Sequence, residues 1–403
     1  MKFYIERERL LPVVKAAKSV LGKGLWSMVL VKAVDGVAIE AGNGDHFFSG
    51  NAVDANIERP GSVMVDGVAL FKLLGRLPES TVGFERKRGK KMVVTCGRVR
   101  AELSTTPPSS RPTEPAVDES ESIRLPGIVL GHALATIKGA VSTEEARSGL
   151  NGMFMELLPP PANGGPSVLR FVGTDGNVLR SQDMCVTVEG GARPPRRALL
   201  PTSAVAPISS IINGDDDVWI RWNASGTIIS VVGPGGRVVS RMKDGEFPDY
   251  RRVLPPHATG ALTLDRKGFL EALQRAALLS GVLDDPKEGK SKRIRHKETE
   301  LWVNDHSVTI IRRSPSGALS DYQEELPAEQ AGSPVPFGFN LNLMVEMLGH
   351  FITERVTLQL PADPLGPVKI ADSDRGLMGI VMPMRVEEIM DAHKAGKTSR
   401  KAA

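Results

Sequence analysis

Two glycine-rich stretches, Gly42-Asn-Gly44-Asp45-His46 and Gly233-Pro-Gly235-Gly236, contain the residue types whose backbone amides cradle phosphates. Asp45 beside His46 is a fragment from which acid and base catalysis can be assembled. Asp215, Asp216 and Asp217, after Asn213-Gly214, offer oxygens to a cation. Each has a plainer reading. Both glycine stretches lie between alternating apolar residues, the pattern of a hairpin turn. The aspartates follow a helix-ending pattern with no fourth acidic group at calcium-loop spacing. A lone Asp-His pair reads as polar residues on the surface. Cys96 and Cys185 have no Cys or His partner at disulfide or metal spacing and read as small core residues. The chain thus carries no catalytic constellation, metal site or cofactor loop, and its chemistry points to binding rather than reaction.

The elements that position these turns belong to an ordinary globular chain. Its 403 residues, 41% hydrophobic and 24% charged, predict roughly two or three domains. Aromatics are only 5%, so the core must be built from Val, Leu, Ile and Met. A net charge of +4 and a pI near 9.0 permit nucleic acid as a partner without demanding it. The N-terminus is charged from the start, and no apolar run approaches the ~18 residues of a membrane span. A cytoplasmic protein is expected, with no membrane partner.

One pattern is written three times. Phe3-Tyr-Ile5 leads into Leu10, Val14, Ala17 and Leu21 at helical spacing; Ile123-Arg-Leu125 leads into Leu130, Leu134, Ile137 and Val141; Leu262-Thr-Leu264 leads into Phe269, Leu273, Ala276 and Ser280. A second strand and helix follow in each: Val63-Met-Val65 before Leu70 to Leu74, Leu199-Leu-Pro201 before Val205 to Ile212, Phe337-Gly-Phe339 before Leu343 to Leu348. Alternating strands then run over Val82 to Leu103, Val218 to Met242 and Val356 to Met384. The repeat is domain-sized.

The joints agree. Thr106 to Ser122, rich in Pro, Ser, Thr and Glu, reads as one linker and Phe247 to Gly260 as another. The second lies in Gly245-Glu-Phe-Pro-Asp-Tyr-Arg-Arg-Val-Leu-Pro-Pro256, where prolines hold the backbone extended. Phe247 and Tyr250 there need a surface, and Arg251 and Arg252 need acceptors. Residues 284–297 form a basic insertion that reads as a solvated loop, and 387–403 reads as a frayed basic tail.

Three blocks carry a resemblance. Gly245 to Pro255 is similar to the second inter-domain crossover of the bacterial DNA polymerase III beta subunits, the replicative sliding clamps. Leu169-Arg-Phe-Val-Gly-Thr-Asp-Gly-Asn-Val-Leu179 resembles that family's second-domain strand and turn, and Val381-Met-Pro-Met-Arg385 its C-terminal signature. Leu150-Asn-Gly-Met153 and Met1-Lys-Phe-Tyr-Ile-Glu-Arg-Glu add to the match, which spans residues 1 to about 386. It implies an α+β fold of three tandem clamp-type domains, 1–122, 123–257 and 258–386, with 387–403 as an added basic tail. It also implies a head-to-tail homodimer closing a six-domain ring around duplex DNA, without sequence preference and without catalysis. The further partners implied are the polymerase III catalytic subunit, the clamp loader and other proteins bearing a clamp-binding motif.

Hole-facing charges implied by the resemblance are Arg7, Lys15, Lys18, Lys23, Lys72, Arg76, Lys138, Arg147 and Arg275. The implied partner-motif pocket maps onto Leu150, Thr174, Gly176, Asn177, Val178, Leu179, Pro248, Arg252, Val253, Ile380, Val381, Met382, Pro383, Met384 and Arg385. Flexible methionines there can repack around different motifs, although Met382 and Met384 also fit the core of a last strand. The expected dimer seam uses Arg98, Arg100, Leu103, Leu278 and Leu279.

The sequence departs from the family in four places. Asn177-Val178 stand where it usually shows His and Arg, and Pro201-Thr-Ser203 replace a basic pair. Ala101 sits where a bulky aromatic is common, and the chain continues past Val386, where the family normally ends. A clamp-like regulator that binds partner motifs without encircling DNA is the alternative reading, and an enzyme is a distant third.

Overall fold

The computed structural model describes residues 1–110, 114–117, 122–162, 164–190, 197–223, 225–255, 258–279, 298–313, 321–372 and 375–401. The basic insertion expected at 284–297 lies outside them. The chain forms two compact units: Met1–Lys138 with Asn151–Phe171 and Met184–Gly245, and Gly139–Leu150 with Val172–Asp183 and Glu246–Ala403.

Seven helices occur among the described residues: α1 (Arg7–Lys18), α2 (Gly67–Leu74), α3 (Gly127–Lys138), α4 (Val205–Ser210), α5 (Arg266–Leu279), α6 (Leu341–His350) and α7 (Glu387–Lys401). The first six fall where the apolar spacing predicts them. Capping side chains set three of their starts: Asp66 Oδ1 accepts from Ala69 N–H at 2.7 Å, Asp265 Oδ1 from Gly268 N–H at 2.6 Å, and Asn340 Oδ1 from Asn342 N–H at 3.1 Å. None is long and apolar enough to cross a membrane.

In the first unit α1 packs on α2 and α4, and α3 packs on α4. The strand Lys2–Glu6 carries Phe3 into the core, stacked on Phe84 at 4.8 Å. Both glycine-rich stretches are turns. Gly42 and His46 bound the turn from strand Val37–Gly42 to His46–Ala52, and Gly233 pairs with Gly236 across the other. The strand Gly236–Arg241 then pairs antiparallel with His46–Ala52, Val238 opposite Phe48.

His46 corrects an expectation. It is buried at 3% exposure, its Nδ1 3.0 Å from Ser240 Oγ and its Nε2 2.8 Å from Ser203 Oγ, so it joins three chain segments instead of sitting on the surface. Cys185 corrects another: Cys96 is buried as expected, whereas Cys185 is exposed, because it falls on the outward phase of the strand Val178–Glu189.

The second unit has two sheets. In one, Gly260–Asp265 lies between Glu329–Gly332 and Arg355–Leu360, and the sheet continues through Val368–Asp372 and Leu377–Val381 to Val178–Gln182. The other runs Tyr322–Pro327, Ser307–Arg312, Glu298–Val303, Phe337–Asn340. Between them α5 and α6 bury Phe269, Leu273, Met344 and Met347.

The segment after Val386 is helical rather than frayed. Ile389 is buried at 1% exposure, Glu388 lies 3.6 Å from Arg313, and Glu387 and Glu388 complement the N-terminal end of the helix dipole. An apolar anchor and a charge partner hold α7, neither visible in a composition dominated by charge.

Candidate functional site

The second unit contains every residue of the predicted pocket, and its frame is backbone. Val178 pairs with Val381 and Leu179 with Ile380 in antiparallel register. All four side chains are at most 3% exposed, and because successive residues of a strand face opposite sides of the sheet, Val178 and Val381 enter the unit's core while Leu179 and Ile380 turn to the other face. Just before the strand, Asp175 Oδ1 accepts from the N–H groups of Asn177 and Val178 at 2.8 and 2.9 Å. Gly176 takes φ 92°, a left-handed conformation that favours glycine. The Asn177 carbonyl accepts from Met382 N–H at 2.9 Å, which fastens the C-terminal strap to the turn. Met384 N–H then donates to Gly338 O at 2.8 Å, and these two residues form an isolated bridge.

Those two hydrogen bonds leave Met382, Pro383 and Met384 half-buried and Arg385 exposed. The methionines are therefore neither closed into a core nor free in solvent. They present flexible thioethers at the end of a fixed strand pair, an arrangement suited to an extended apolar peptide.

Two further walls come from separate stretches. Leu150 N–H donates to Arg147 O at 2.8 Å, and the Leu150 carbonyl accepts from Ser142 N–H. Gly149 must be glycine, since a Cβ there would stand 2.4 Å from the Glu246 carbonyl oxygen. The crossover turns at Tyr250–Val253, capped by Asp249 Oδ1 accepting from Arg251 N–H at 3.3 Å. Tyr250 is buried and anchors it, while Pro248, Arg252 and Val253 remain exposed.

Three features escaped the sequence reading. Arg147, expected among hole-facing charges, donates from Nη1 to the Asp175 carbonyl at 3.0 Å, with Glu144 2.9 Å from its Nε. It lies against the turn that bounds the pocket, beside Asn177. Asp175 itself organises that turn, and the Asp-Gly dipeptide was the available signal. Arg180, two residues past Val178, is fully buried with Glu346 Oε1 2.9 Å from its Nη2. No local pattern announces a buried arginine in a strand.

The remaining predicted cations divide by environment. Lys15 and Lys18 on α1, Lys72 on α2 and Arg76 beyond it are exposed on packed neighbouring helices, with the Lys18 ammonium 4.3 Å from the Phe71 ring centre. Lys23 and Lys138 are exposed as well. Arg7 is half-buried, donating from Nε to the Leu74 carbonyl at 2.8 Å with Glu79 at 3.5 Å. Arg275 is forked onto Glu324 at 3.0 and 2.6 Å, which raises its pKa and lowers that of the carboxyl.

At the predicted seam, Arg98 and Arg100 are exposed, Ala101 and Leu103 are half-buried on the strand Val99–Thr106, and Leu278 is 64% exposed. Leu279 ends α5, but its side chain lies outside those described. Among the described residues no cluster of His, Cys, Asp and Glu has metal-binding geometry.

Repeated helix-and-sheet modules, with exposed Lys15, Lys18 and Lys72 on the packed helices α1 and α2, define a clamp-type protein. Comparison with known proteins agrees. Residues 1–115 match the model of the DNA polymerase III beta subunit N-terminal domain, and residues 251–385 that of its C-terminal domain. The chain is 26% identical to the beta sliding clamp of Escherichia coli K12 over 392 residues, covering 96% of this chain and 100% of the relative. It is 26% identical over 411 residues to that of Caulobacter vibrioides, with the same two coverages. Its fold matches the crystal structures of the DNA polymerase III subunit beta from Pseudomonas aeruginosa and the sliding clamp from Bacillus subtilis. Each has a TM-score of 0.83, at 24% and 20% identity, covering 96% of this chain and 100% and 99% of theirs. The chain belongs to the DNA polymerase III beta subunit family.

Proposed function

We propose that this chain works as a DNA sliding clamp: a non-catalytic subunit that encircles duplex DNA and tethers the replicative polymerase, the clamp loader and other motif-bearing proteins. Family membership over both terminal domains supports the reading, and the observation that carries it is the arrangement of the Asp175 turn, the 178–381 register and the half-buried Met382 and Met384.

In this reading the chain divides into domains 1–122, 123–257 and 258–386, and two copies close head to tail into a ring. The seam brings Arg98, Arg100 and Leu103 of one copy to Leu278 and Leu279 of the other. A leucine left 64% exposed at the end of α5 supports that assignment. Lys15, Lys18, Lys23, Lys72, Arg76 and Lys138 face the DNA, holding it by charge without reading bases. Arg147 serves the pocket rim instead, where it supplies a cation beside Asn177 and Val178. The protein acts in the cytoplasm, where the chromosome is replicated.

One observation favours the alternative of a motif-binding regulator that does not encircle DNA. The outward face of α3 carries exposed Ile128, Val129, His132 and Ala135, with Lys138 its one exposed cation. Loading onto nicked circular DNA separates the two readings. A clamp is retained in high salt until the circle is linearised, whereas retention that follows salt alone supports the regulator. Light scattering provides the second check, with a dimer at about 87 kDa, twice 43.3 kDa, expected for the ring.

A further inference from the structure

The internal repeat exposes a difference between its first and third copies. Arg7 and Arg266 open α1 and α5, their N–H groups donating to the carbonyls of Ser80 and Glu354. Upstream, Tyr4 pairs with Asn56 and Glu6 with Thr81; in the third copy Thr263 pairs with Glu329 and Asp265 with Arg355. One register therefore relates the copies, and it sets Arg9 against Gly268 and Asp54 against Pro327. In the first copy the Arg9 guanidinium is bonded to the Asp54 carboxylate and spans this corner. In the third copy both partners are gone and a cavity of about 630 Å³ opens, lined by Gly268 and Pro327 themselves.

The walls of that cavity have a definite chemistry. Leu264 and Phe269 make an apolar floor with Ala328. Asp265, Glu329 and Glu354 stand around the opening, with Arg355 2.7 Å from Glu329 and His306 nearby. Three carboxylates against one guanidinium leave the opening negative, and an anion is disfavoured. A bare divalent cation needs a full set of oxygens, whereas this cavity offers hydrocarbon on one side and Arg355 on another.

We propose that the cavity binds an arginine side chain on a short apolar segment of a partner protein. The guanidinium stands where Arg9 stands in the first copy, forked between Asp265 and Glu354, and an apolar neighbour covers half-buried Leu326 and exposed Pro327. Arginine suits the place better than lysine because its planar fork matches two carboxylates and its weakly hydrated face tolerates the apolar wall of Leu326 and Pro327. The site is separate from the methionine recess and rests on the structure of this domain alone.

The full-length chain is titrated with a fluorescein-labelled Ala-Leu-Arg-Leu-Ala peptide and with the same peptide carrying neutral citrulline in place of arginine. Saturable binding is expected, at least tenfold weaker for citrulline and at least threefold weaker in Glu354→Gln. Gly268→Arg restores the first copy's side chain and is expected to abolish binding with melting temperature unchanged or raised. A Cβ at Gly268 meets Asp265 alone, its capping carboxylate oxygen at 2.9 Å and carboxyl carbon at 3.9 Å, so that side chain must give by a few tenths of an ångström, against which arginine favours a helix over glycine. If Gly268→Arg fails to fold, the Glu354→Gln and citrulline arms decide. Equal binding of both peptides, no saturation at millimolar peptide, or displacement by calcium alone overturns the proposal. So does loss of binding in Met382→Ala/Met384→Ala, which would place the peptide in the other recess.

Discussion

The Arg180 guanidinium is fully buried, while the carboxylate 2.9 Å from it, on Glu346, is 46% exposed. The pair ties the strand that carries Val178 and Leu179 to α6. The asymmetry matters, since the buried charge relies on a partner that solvent also reaches. Deleting one member of a buried pair is strongly destabilising, whereas replacing the buried ion by hydrocarbon can be neutral. Glu346→Gln should cost about 1–3 kcal/mol, discounted for its exposure, and Arg180→Met should cost less. The double variant should be no worse than Arg180→Met alone. Urea unfolding of the three variants checks the order.

The methionine recess is tested by truncation. Met382→Ala with Met384→Ala removes two flexible anchors while leaving the backbone bonds to Asn177 and Gly338 in place. Binding of a fluorescein-labelled clamp-binding-motif peptide should weaken at least tenfold, about 1.4 kcal/mol or more. Unchanged affinity would remove the recess from the function.

Salt dependence sorts the cations. Alanine at Lys15, Lys18, Lys72 and Arg76 should flatten the slope of log affinity against log salt for duplex DNA, by up to about 0.9 for each phosphate no longer neutralised. Arg7→Ala and Arg275→Ala should leave that slope alone and lower thermal stability, because those guanidiniums bond Leu74 and Glu324. A slope change in Arg275→Ala would return that residue to the DNA-facing set.

His46 makes the first unit sensitive to acid. Burial lowers its pKa below the ordinary histidine value, against a smaller opposing pull from Asp45. The unfolded chain therefore binds the proton first, and the sign follows from linkage. Stability is complete above the unfolded value of about 6.5 and is lost as pH falls toward the folded one. Melting temperature from pH 7.5 to 5.5 should fall more steeply in the wild type than in His46→Gln, and parallel curves would refute the assignment.

Much was legible in the chain alone, for a local reason. Period and cap are properties of neighbouring residues, so Leu10, Val14 and Ala17 announced α1, and Phe269, Leu273 and Ala276 announced α5, before any contact was known. The turn at Gly42–His46 and the three-fold order of elements were readable on the same ground. What tertiary structure alone decided concerns partners far apart in sequence. His46 is buried because Ser203 and Ser240 meet it, and Arg147 reaches the pocket rim because the Asp175 carbonyl lies there. The cavity is lined by Gly268 and Pro327, residues distant in sequence that the fold brings to the corner where the first copy of the same pattern joins Arg9 to Asp54. A residue's type determines what it can bond; only the folded chain determines what stands within reach.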